Sequence, residues 1–124
     1  MGGQGFRDLI VWRKAKDLAV CVYRETGSGA ISRDFGLKDQ VRRSAVSVAS
    51  NIAEGDERDT NKESARFFYI AKGSLAELRT QLQIAYEVGY IEKLFYEQID
   101  AECDILGKMI GKLIGKRLNG IKKR

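Results

Sequence analysis

The chain has 124 residues, enough for one domain with a real core, and 44% of them are hydrophobic. It contains no proline and no histidine, carries two cysteines, and has a formal charge of +5. The missing histidine removes Ser-His-Asp and Cys-His catalysis, histidine-ligated zinc and the usual proton shuttle. No apolar run approaches the ~20 residues that cross a bilayer, and MGGQGFRD has no signal-peptide core, so a cytoplasmic protein without membrane partners is expected.

Four amphipathic segments are legible, and no stretch alternates with a strand's period. The first is predicted from about 9 to 26, with Val11, Ala15, Leu18 and Val22 on one arc and GSG at 27–29 as its stop. The second is predicted from about 34 to 54, with Val41, Ala45, Val48 and Ile52 on its core face and Gly55 ending it. Its other side is a polar stripe of Gln40, Arg43, Ser47, Asn51 and Glu54.

The third segment opens with Thr60-Asn61-Lys62-Glu63, read as a capping box, and runs to about 88 with Gly89 after it. Phe68, Ala71, Leu75, Leu78, Leu82 and Ala85 form its core face, and Gly73, Ser74 and Glu77 lie on its opposite stripe. The fourth is predicted from about 92 to 118, with Ile99, Cys103, Leu106, Ile110 and Ile114 on one face. Lys108, Lys112 and Lys116 line another face, beside a row of Gly107, Gly111 and Gly115. Each interior glycine costs a helix about 1 kcal/mol relative to alanine, so the row implies fraying or close approach of something to that ridge.

Four such helices with short connections predict an all-α domain over 1–124, an antiparallel up-down-up-down four-helix bundle. Charge is concentrated at one end. From about 107 onward Lys108, Lys112, Lys116, Arg117, Lys122, Lys123 and Arg124 appear with no acid, leaving a small negative balance on the remainder. This basic C-terminal tail is the expected nucleic-acid contact, neutralising phosphates without reading sequence, with Arg42 assisting.

The polar stripes on the second and third helices are read as a second contact surface. Gln40, Arg43, Ser47, Asn51, Glu54, Gly73, Ser74 and Glu77 are expected to join subunits. A lone Asn–Glu pair in "SNIAEG" is weak chemistry, so no catalytic residues are assigned and the protein is read as a non-enzyme. The acids Glu54, Asp56, Glu57 and Asp59 lack the ligand spacing of a calcium loop and are expected to form a solvated loop. No metal or cofactor is expected.

The residues "FRDLIVWRKA", then Gly36, Leu37, Gln40, Arg42, Arg43 and Ser47, "SNIAEG" at 50–55, and "AKGSLAEL" resemble the small helical bundle proteins encoded in intervening sequences of bacterial 23S rRNA genes. The resemblance covers about 6 to 91. It implies a four-helix bundle assembled into a ring-shaped homopentamer, and the location of the genes implies RNA as the preferred ligand. Similar accessory proteins of diversity-generating retroelements imply nucleic acid and a protein partner such as a reverse transcriptase. The alternative to nucleic-acid binding is therefore a scaffold that presents a surface to a protein partner. Members often carry prolines after the first helix and before Ser-Asn-Ile-Ala-Glu-Gly. Here those places hold "SGAISRDFG" and Ala49.

Overall fold

The computed structural model describes residues 5–120. A short 3-10 turn, η1 (Gly5–Asp8), precedes four α-helices: α1 (Ile10–Glu25), α2 (Phe35–Asp56), α3 (Asn61–Glu87) and α4 (Lys93–Leu118). A second 3-10 turn, η2 (Ala30–Arg33), joins α1 to α2. The four predicted helices are all present, with bounds within two residues of expectation. The two 3-10 turns were not foreseen.

The helix ends follow local chemistry. The Asp34 carboxylate caps α2 by accepting from the Leu37 amide at 3.0 Å. The Thr60 hydroxyl caps α3 by accepting from the Glu63 amide at 3.1 Å. The expected capping box is only half formed, because the Glu63 carboxylate turns to Arg66 instead. Thr26 closes α1 by donating its hydroxyl to the Val22 carbonyl at 2.7 Å. After α3 the chain reverses at Gly89, whose φ of 84° suits glycine alone.

Each helix packs against its neighbours in sequence, and α1 also meets α4. The core between them contains Val11, Ala15, Leu18 and Val22 from α1, with Val41, Ala45, Val48 and Ile52 from α2. Phe68, Leu75, Leu78 and Leu82 from α3 and Ile99, Cys103, Leu106 and Ile110 from α4 complete it. Burial pushes the Cys103 thiol up to about 12, so it stays protonated as a small hydrophobe. Ile31 of η2 is also buried, which closes the core beneath the α1–α2 connection.

Two features at one end of the bundle depart from the expected pattern. Gly55 does not stop α2. It lies inside the helix and on its buried side, where a Cβ would stand 2.6 Å from Phe68 Cε1 and 2.9 Å from the Ser64 carbonyl oxygen. Glycine is required there because α3 comes that close. One residue later, Asp56 is buried rather than in a solvated loop. Its Oδ1 accepts from Arg117 Nη2 at 3.2 Å, with the two side chains 0% and 4% exposed. The Arg117 guanidinium also sits 5.5 Å from the centre of the Phe68 ring. This end of the molecule thus ties α2, α3 and α4 together.

Candidate nucleic-acid interface

Helix α4 carries the basic face. Lys108, Lys112 and Lys116 recur every four residues and all three are exposed. Lys108 is partly committed, since its ammonium lies 3.0 Å from Asp104 Oδ2. That hydrogen bond holds the Asp104 carboxyl below its ordinary range. Among the described residues no carboxylate pairs with Lys112 or Lys116. Lys122, Lys123 and Arg124 lie outside the described residues.

Two cations assigned to this interface from sequence do other work. Arg117 is buried in its ion pair with Asp56, so it is not presented to a phosphate. Arg42 donates through Nε to Thr26 Oγ1 at 2.8 Å and through Nη2 to the Tyr23 carbonyl at 3.1 Å. Its guanidinium also stacks over the Tyr23 ring at 4.4 Å. Arg42 therefore locks the end of α1 onto α2. Up to Leu118 the stretch from 107 is the second half of α4, as its periodicity predicts, with Ile110 and Ile114 in the core.

The glycine row beside the lysines has a partial explanation. A Cβ at Gly107 would touch Leu75 Cδ2 at 3.4 Å, an ordinary contact. At Gly111 and Gly115 it would meet nothing within 4 Å. The helix runs through both without a break. Replacing Gly111 and Gly115 by alanine should therefore raise stability by up to about 1 kcal/mol each. A urea titration reads this directly, and a loss of stability would reveal a packing demand on that ridge.

The polar stripes of α2 and α3 divide into two groups. Ser47 and Ser74 share a hydrogen bond at 2.8 Å, and Asn51 Nδ2 donates to the Ser47 carbonyl and hydroxyl at 2.9 and 3.0 Å. Ser74 is buried. These three residues form a seam between α2 and α3 within the chain, with Ser47 and Asn51 half-buried. Gln40, Arg43, Glu54, Gly73 and Glu77 are exposed. Glu54 pairs with Arg58 one turn on.

Among the described residues there is no cluster of acidic or cysteine side chains able to hold a metal ion. No helix among them is long and apolar enough to cross a membrane.

The family model of the 23S rRNA-intervening sequence protein matches residues 7–112. The chain belongs to that family. Among curated proteins none matches it. Its fold is similar to that of a crystal structure from Bacteroides thetaiotaomicron, a protein of unknown function from the S23 ribosomal protein family. The TM-score is 0.78 at 22% identity, covering 85% of this chain and 98% of the other. The family match ends at residue 112, so Lys108 and Lys112 fall inside it and Lys116 beyond it.

Proposed function

We propose that the chain is a non-enzymatic, homo-oligomeric, cytoplasmic protein that binds nucleic acid, RNA by preference, through the outer face of α4. The observation that carries this reading is the exposed ladder of Lys108, Lys112 and Lys116. Cations one turn apart on a rigid helix match a run of phosphates without reading bases. Membership of a family named for rRNA intervening sequences supports RNA as the first ligand to test. Assembly as a ring-shaped homopentamer would repeat the ladder once per subunit and raise its avidity. The helix course proposed is up-down-up-down. It is supported for α2 and α3 by Gly55, at the end of α2, meeting Ser64 and Phe68 near the start of α3, while Ser47, two turns earlier in α2, meets Ser74 further along α3.

The test is fluorescence anisotropy with labelled single-stranded RNA and DNA across a salt series. The expected result is sequence-tolerant binding that weakens steeply with salt. The double variant Lys112→Glu, Lys116→Glu should weaken binding at least about tenfold and flatten the salt slope by about 2. Lack of binding at low salt, or a variant that binds equally well, would remove the proposal.

A specific observation favours a second reading, a scaffold for a protein partner. Phe35 and Leu94 are 69% and 66% exposed, at the start of α2 and the start of α4. Tyr90 lines an open depression with each of them. A pull-down that survives nuclease and is lost in Phe35→Ser would select this reading.

A further inference from the structure

An open groove of about 650 Å³ runs between α1 and α2. Three aromatic rings line it, Phe6, Trp12 and Tyr23. Tyr23 is 46% exposed, and Phe6 and Trp12 are half-buried. On the α2 side the lining includes Ala49 and Ala53, whose methyl groups leave the space between the helices open.

Two of these rings are held in place with a face to spare. Phe6 meets Trp12 edge-on, with centroids 5.1 Å apart and planes at 63°, and this contact covers at most one face of the indole. The Arg42 guanidinium covers one face of Tyr23 at 4.4 Å and is itself fixed by its bonds to Thr26 and the Tyr23 carbonyl.

The charged residues in the lining are Lys16 and Arg24, both cationic. Among the described residues no carboxylate pairs with Arg24. Lys16 contacts Asp17 at 2.7 Å, but both side chains are exposed, and a surface pair of this kind yields readily to another anion. Flat apolar faces beside unopposed cations suit a ligand that is planar in one part and anionic in another. An unpaired nucleobase on its phosphate backbone has that chemistry.

We propose that this groove takes unpaired bases of a single strand, stacked on Trp12 and Tyr23, with Lys16 and Arg24 on the flanking phosphates. The inference rests on the nucleic-acid reading and deepens it. The lysine ladder of α4 meets phosphates of any strand, whereas the groove needs a free base face, which a duplex does not offer. Helix α1 packs against both α2 and α4, so a strand leaving the groove crosses α1 to reach the lysines.

Trp12 is the one tryptophan of the chain, so its fluorescence reads the groove directly. The whole chain is titrated at low salt with an oligoadenylate of about a dozen nucleotides. An abasic strand and a duplex of the same length, and AMP, are titrated beside it. Labelled forms of the strands report total binding by anisotropy. The expected result is saturating quenching by the oligoadenylate, with the abasic strand and the duplex bound but not quenching. Tyr23→Ser with Arg24→Glu should weaken the quenching interaction at least about tenfold and duplex binding by no more than about twofold. Tyr23→Phe should keep the quenching, since a phenyl face stacks as well. Both positions are exposed, and circular dichroism melts check that the variants fold. Oligoadenylate binding without quenching, or equal quenching by the abasic strand, would overturn the groove and leave the nucleic-acid reading in place. Quenching by AMP at the same concentration as the oligomer would make this a site for free nucleotides and overturn the strand. Absence of binding by every strand would remove both readings.

Discussion

Gly55→Ala should destabilise the protein by about 3 kcal/mol, far more than one methyl group ordinarily does. The added carbon would fall 2.6 and 2.8 Å from two atoms of the Phe68 ring and 2.9 Å from the Ser64 carbonyl oxygen. The ring can tilt, but the carbonyl is part of the α3 backbone and retreats only if the helix moves. For a domain of this size that loss lowers Tm by about 10 °C. Phe68→Leu placed on top of Gly55→Ala should recover only part of it, because the clash with Ser64 persists. Urea unfolding of the single and double variants decides the matter. A change below about 0.5 kcal/mol in Gly55→Ala would mean that α2 and α3 are further apart than described. The contrast with Gly111 and Gly115 is instructive, since the same substitution there meets open space.

Asp56→Ala and Arg117→Met should each cost about 3–5 kcal/mol, because either removes one charge of a pair that is shut away from water. The double variant Asp56→Leu, Arg117→Met should cost much less than the sum, since an apolar pair of similar size leaves no buried charge behind. The measurement is a double-mutant cycle by urea unfolding, with a coupling of at least about 2 kcal/mol expected. Additive effects would show that the two side chains act independently. The pair also settles what Arg117 is for. Its guanidinium joins residues 61 positions apart and rests near Phe68, so losing it loosens the same end of the bundle that Gly55 allows to close.

Much of this architecture was written in periodicity. Apolar residues at three- and four-residue spacing marked all four helices, and Asp34, Thr60 and Gly89 stand where caps and a reversal are needed. The tertiary roles of polar residues were harder to read. Arg117 was grouped with the lysines because its neighbours in sequence are basic, yet it follows Ile110 and Ile114 on the apolar arc. Asp56 likewise follows Ile52 by four and was read as part of an acidic loop. Gly55 follows Val48 and Ile52 on the core face, and that spacing distinguishes a close-approach glycine from a terminator. Ser47 and Ser74 looked like an outward stripe because pattern alone does not say where a helix's flank meets its neighbour inside the same chain. Lys112 and Lys116 are exposed, as their spacing implied.

Helix α4 packs principally on α3 and α1, and apart from the Asp56–Arg117 link it lies diagonally across the bundle from α2. Its exposed lysines are therefore remote from the Ser47–Ser74 seam between α2 and α3. Charge reversal at Lys112 and Lys116 changes one outer face of the molecule and leaves that seam alone.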